Sequence, residues 1–261
     1  MNFVDFHCHL DMEDFAGKRE EIIKECFASG FSKLVTVADP YEKDSLRITT
    51  EILGYHKNIF CTAAAHPHNA DKYSPQVEKD LLQFLKNKDF EEKVLAVGEA
   101  GLDYHYNFST PENQQRVFKR QIAIAKELRL PLIIHSRQAE KETLNILEKT
   151  KFSRPVVFHC YTGTIEDARE ILKRGYYISI SGIVTFKKSE FLREIVEIIP
   201  LSKIFTETDS PYLSPQPFRG RLNTPLRVKL VAEKIAEVKG VPLEKLNKAV
   251  NSNFRKLLKN T

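Results

Sequence analysis

Along this chain, eight short apolar runs rich in β-branched residues alternate with longer amphipathic stretches. The runs fall at Phe3–His7, Lys33–Val37, Ile59–Ala65, Val94–Gly98, Leu132–His135, Val156–His159, Tyr176–Ser179 and Ile204–Thr206, each the length of a buried strand. Between them, apolar residues recur at helical spacing. In REEIIKECFASG, the residues Ile22, Ile23, Cys26 and Phe27 make one stripe, and Gly30 stands where a helix would end. In TPENQQRVFKRQIAIAKELRL, Thr110 fits an N-cap, Pro111 the first helical position, and Val117, Ile122, Ile124 and Ala125 a buried face. The stretch PLEKLNKAVNSNFRKLLK, from Pro242 to Lys259, predicts an additional C-terminal helix.

Strands separated by helices imply repeated βα units and a parallel sheet. Eight units with right-handed crossovers favour an α/β fold closed as a (β/α)8 TIM barrel. An open doubly wound sheet would be expected to carry a Gly-rich phosphate turn, and no G-x-G-x-x-G occurs. No linker or composition shift interrupts the pattern, so a single domain over residues 1–261 is expected.

The first run breaks its own apolar character. In VDFHCHL, period-two alternation places Asp5, His7 and His9 on one face and Val4, Phe6, Cys8 and Leu10 on the other. The same feature recurs at later strand ends: His66 and His68 in AAAHPHNA, Glu99 in AVGEAGLDY, His135 in PLIIHSR, His159 in VVFHCYTG and Asp209 in FTETDSPYL. Six of the eight histidines sit at such ends; His56 and His105 do not. Eight histidines in 261 positions would give about 0.2 H-x-H triplets by chance, and two occur. In a parallel barrel all these ends open at one mouth, where barrel enzymes place their active sites.

Composition narrows the class without choosing the chemistry. A hydrophobic content of 42% and a charged content of 29% describe a soluble globular protein, and the net charge of +5 permits an anionic partner. Four widely spaced cysteines without a C-x-x-C pair read as reduced thiols, pointing to the cytoplasm. No signal-peptide pattern precedes the first strand, and no apolar run approaches the ~18 residues of a membrane span, so no membrane partner is expected.

His7, His9, His135, His159, Glu99 and Asp209 are six candidate ligands, too many for one tetrahedral catalytic ion. They suit two divalent cations roughly 3.5–4 Å apart sharing a bridging carboxylate. Imidazole and carboxylate donors without thiolate fit Zn²⁺ or Mn²⁺, with Mg²⁺ also admissible. Alternation points Cys8 and Cys160 toward the helices in structural roles. It also puts Asp5 and Glu207 one step below His7 and Asp209, where they would orient imidazoles or a water. His66, His68, Arg137 and Arg219 are candidate substrate contacts. Between Asp209 and Glu233 there is no acid but four basic residues, Arg219, Arg221, Arg227 and Lys229, close to where barrels often bind phosphate.

The ordered set DFHCHL, HPHNA, GEAGLDY, IIHSR, HCYTG and ETDSPYL resembles the TatD family of metal-dependent deoxyribonucleases, in the amidohydrolase superfamily, from Phe3 to about Asn253. Family members often carry Ile or Cys where Ala100 stands and His where Phe218 stands. The resemblance implies a barrel with a two-metal site, acting as a hydrolase on DNA phosphodiesters, single-stranded or at a free 3′ end, as a 3′→5′ exonuclease. It implies that His7, His9 and Asp209 bind one metal, Glu99 bridges, and His135 and His159 hold the second. Hydrolysis would run by in-line attack of metal-activated hydroxide with Asp209 accepting the proton; a metal or a protonated His66 or His68 would stabilise the leaving oxygen.

Two other classes compete. The same barrel could hydrolyse a small amide, lactone or phosphoester, but many such enzymes bridge their metals with a carbamylated Lys at the fourth strand. Here Glu99 takes that place and Lys93 lies at the strand's other end. A nucleic-acid-binding protein without catalysis would have no reason to keep all six ligands.

Overall fold

The structure is a computed structural model that describes residues 2–106 and 108–258. Met1, Lys259 and Thr261, where the sequence-based domain and last-helix boundaries fall, lie outside them. Eight strands pair in parallel and in chain order: β1 Phe3–Cys8, β2 Phe31–Ala38, β3 Ile59–Ala63, β4 Val94–Asp103, β5 Leu132–Arg137, β6 Val156–Phe158, β7 Tyr177–Ile180 and β8 Ile204–Thr206. Strands buried on both faces need near-continuous apolar sequence, which is why each reads as an apolar run.

The barrel closes between β8 and β1. Thr206 Oγ1 donates to the Val4 carbonyl at 2.8 Å. Beyond the strand ends, Asp209 N–H donates to His7 O at 2.9 Å and His9 N–H to Ser210 O at 2.7 Å. The seam is therefore made at the mouth by the segments that carry His7, His9 and Asp209, so closing the barrel also positions these side chains.

Helices α1 Arg19–Ala28, α2 Ser45–Tyr55, α3 Pro75–Leu85, α4 Pro111–Glu127, α5 Glu140–Lys149, α6 Ile165–Lys173, α7 Glu190–Ile198 and α8 Val228–Val238 accompany the strands. The Thr110 side chain caps α4 by accepting from Asn113 N, and Pro111 opens the helix. Val117, Ile122, Ile124 and Ala125 are all buried. The additional helix α9, Leu243–Leu258, buries Phe254 edge-on to Phe60 and Phe6. Asn253 Nδ2 donates to Leu201 O and Ile204 O at 2.9 Å, tying α9 to the start of β8. Among the described residues no helix is long and apolar enough to cross a membrane.

Two boundaries differ from the sequence pattern in ways that matter. β4 continues five residues past Gly98 to Asp103, so Glu99 lies inside the strand. The continuation depends on Gly101, at φ +147°, where a Cβ would stand 2.0 Å from the His135 carbonyl oxygen. β6 stops at Phe158, so alternation no longer governs Cys160. Instead of facing the helices, Cys160 adopts φ +43° and lines the cavity at the mouth, its Sγ 3.2 Å from Ser181 Oγ.

Candidate metal centre

A cavity of about 640 Å³ opens at the C-terminal ends of the strands. On one side of it, β1 delivers His7 and His9, whose Nε2 atoms lie 3.3 Å apart. Asp209 Oδ1 is 3.4 Å from His9 Nε2 and 3.7 Å from His7 Nε2. On the other side, His135 Nδ1 and His159 Nε2 each lie 2.6 Å from Glu99 Oε1, with His66 Nε2 at 3.2 Å. The second Glu99 oxygen, Oε2, faces back, 3.3 Å from His7 Nε2 and 4.0 Å from His9 Nε2. One carboxylate thus presents one oxygen to each group of imidazoles.

The donor set fits bound cations. Ring nitrogens 3.3 Å apart that share one carboxylate oxygen converge on a single point. A cation there, roughly 2.0–2.2 Å from each donor, would engage all three lone pairs. Among the described residues, three groups of donors each gather their ligand atoms within 4.8 Å: His7, His9 and Asp209; His7, Glu99 and His159; and His66, His68 and His135. The groups are His/Glu/Asp without thiolate, a donor set that suits divalent cations such as Zn²⁺ or Mn²⁺ and admits Mg²⁺.

Supporting contacts fix the rings. Asp103 Oδ2 is 2.9 Å from both His135 Nε2 and His68 Nε2, and Oδ1 accepts from the backbone N–H of His105 and Tyr106, each at 2.9 Å. With Nε2–H of His135 donated to Asp103, its Nδ1, turned to Glu99, would offer its lone pair to a cation bound there. Burial acts to raise the Asp103 pKa, but the two imidazole hydrogen bonds outweigh it and hold the carboxyl well below its usual range. Glu207 Oε1 accepts from Cys160 N at 2.6 Å and lies 3.5 Å from His159 Nδ1. Asp5 behaves otherwise than the alternation predicts. Its carboxylate accepts from Thr208 N and Oγ1, at 2.8 and 2.6 Å, so it anchors the loop of Asp209 instead of orienting a ring.

Burial opposes charge on Glu99, but His159, His66 and His135 outweigh it and hold the carboxyl well below its ordinary value. Burial likewise opposes charge on Asp209, and His9 and His7 still lower its pKa, leaving it ionised at neutral pH. Burial drives His66 down to about 4, so the imidazole is neutral at pH 7. Arg137 lines the cavity with its guanidinium 4.8 Å over the Tyr106 ring. Arg219 does not line it; its guanidinium stacks 4.2 Å over Phe186. Lys93 donates to the carbonyls of Leu53 and His56 at the far end of β4, so it is not placed to bridge metals by carbamylation.

Asp103, in contact with His68 and His135, is a site residue that the sequence pattern missed. We expect Asp103→Asn to weaken metal affinity by about 10–100-fold through loss of ring orientation, as read by competition with a chromogenic chelator.

Burial disfavours protonated His9, but the Asp209 carboxylate overrides this and lifts the pKa to about 9. A cation must displace that proton, so affinity at this side should rise about tenfold per pH unit below pH 9 and level off above it. Metal titrations between pH 6.5 and 8.5 would show this slope; a flat profile would mean that no proton leaves.

The TatD related DNase family model matches residues 4–259. The chain is 37% identical over 257 residues to the uncharacterized metal-dependent hydrolase YabD of Bacillus subtilis, covering 98% of each. It is 31% identical over 259 residues to the 3′-5′ ssDNA/RNA exonuclease TatD of Escherichia fergusonii, covering 97% of each. The crystal structure of YJJV, a TatD homologue from Escherichia coli, superposes with a TM-score of 0.89 at 27% identity, covering 98% of this chain and 97% of that one.

Proposed function

The chain belongs to the TatD family of metal-dependent hydrolases, and from that premise we propose that it cleaves phosphodiester bonds of DNA, working from free single-stranded 3′ ends. The observation that carries this reading is Glu99, with Oε1 turned to His135 and His159 and Oε2 to His7. That geometry supports a shared bridge between two divalent cations. His7, His9 and Asp209 would hold one, and His135 and His159 the other, with His66 and His68 beside the second.

Two cations held in this way supply charge neutralisation at the phosphoryl oxygens and acidify the attacking water. The chain's own residues do the rest. Asp209, ionised and on the rim of the cavity, accepts the water proton at its carboxylate. Neutral His66 keeps Nε2 turned to Glu99 because its Nδ1 accepts from His68 N at 3.2 Å. Arg137, on the cavity wall, is positioned to contact a phosphate. We place the activity in the cytoplasm, since Cys8, Cys26, Cys61 and Cys160 are all free thiols.

The test is to strip the protein with a chelator and add back Mg²⁺, Mn²⁺ or Zn²⁺ while following single-stranded DNA labelled at either end. Cleavage that returns with metal and shortens the strand from its 3′ end is the expected result. No cleavage with two cations bound per chain would overturn the DNA assignment and move the substrate to small phosphodiesters, amides or lactones.

A further inference from the structure

Few large aromatic rings are left exposed by this fold, and three of them gather at the cavity mouth. Tyr106 lines the cavity, and Phe108, 64% exposed, stands beside it on the loop after β4. Their rings lie within 17° of parallel with centroids 5.3 Å apart. Tyr212, beside His9 at 6.2 Å, is exposed on the loop after β8. Tyr55 and Phe191, exposed elsewhere, do not line the cavity.

The Tyr106–Phe108 pair is held in register with the ligand cluster. The Tyr106 N–H donates to Asp103 Oδ1, while Oδ2 of the same carboxylate contacts His68 and His135. The His68 ring meets Tyr106 and Phe108 edge-on at 5.5 and 4.9 Å, and Arg137 lies over Tyr106. One carboxylate therefore sets both an imidazole of the reacting centre and the height of an exposed aromatic surface next to it.

We propose that Phe108, backed by Tyr106, is a stacking platform for an unpaired nucleobase beside the scissile phosphate, and that it selects single strands over duplex. This rests on the DNA reading above. Every base offers a π-face, so such a platform binds strands with little sequence preference. Arg137 adds a cation over the Tyr106 ring, on the wall of the same cavity. A base inside a duplex already has both faces covered by its neighbours and gains nothing from Phe108 unless it is first unpaired.

The test compares kcat and KM on a single-stranded oligonucleotide with those on methyl p-nitrophenyl phosphate, a diester without a base. Phe108→Ala and Phe108→Leu should lower the ratio of the two kcat/KM values by about tenfold, mostly through KM. Phe108→Trp should restore it, and Phe191→Ala should behave as wild type. A 2-aminopurine at the 3′ end should be quenched on binding to wild type and to Phe108→Trp, and not to Phe108→Ala. Wild-type KM in Phe108→Ala, on an oligonucleotide that the wild type cleaves, would overturn the platform alone. A wild type that hydrolyses the diester but leaves the oligonucleotide intact would overturn the DNA reading and the platform with it.

Discussion

Glu99→Ala should lower turnover on single-stranded DNA by about three orders of magnitude, because cation stabilisation of the transition state is worth several kcal/mol. It should also reduce bound cations from two per chain. Both effects follow from one placement. Oε1 of Glu99 faces His135 and His159 at 2.6 Å, and Oε2 faces His7 at 3.3 Å, so this one carboxylate reaches both groups. Truncation leaves three imidazoles, His66, His135 and His159, without the oxygen they share. Glu99→Gln separates charge from shape, since it keeps the length of the side chain but offers one weaker donor. Loss in both variants with a preserved circular dichroism spectrum would place the defect in metal binding. Two cations bound to Glu99→Ala with near-normal turnover would remove Glu99 as the bridge.

The strands were legible because each is buried on both faces and so reads as an apolar run; all eight occur where the pattern puts them. The histidines were legible for the opposite reason, as costly interruptions of those runs. What was lost traces to strand ends. Alternation carried past Gly98 would have put Glu99 and Asp103 on one face, but Gly101 reads as a breaker, and only its approach to the His135 carbonyl shows that the strand continues. For Cys160 the error runs the other way, since the strand ends two residues earlier and a positive φ turns the thiol into the cavity. Asp5 lies on the predicted face, yet its partner Thr208 is 203 residues away, and nothing local names it. Arg219 depends on the path of a loop, and composition gives a loop's charge but not its direction.

Asp209→Asn should slow hydrolysis by about 10²–10⁴-fold, the range for a lost general base, with KM for DNA little changed. Asp209 is held on both sides: its N–H donates to His7 O at 2.9 Å, and the preceding Thr208 is pinned by the Asp5 carboxylate. An asparagine therefore keeps an oxygen near His7 and His9 but cannot take a proton. Two explanations of a slow variant, loss of the base and loss of the metal, then diverge in their pH and metal dependence. If the base is missing, the variant's rate should climb about tenfold per pH unit as hydroxide replaces it, while added Mn²⁺ leaves the rate unchanged. If the metal is missing, Mn²⁺ should restore the rate at constant pH. Near-wild-type turnover with both cations bound would show that the proton leaves by another group.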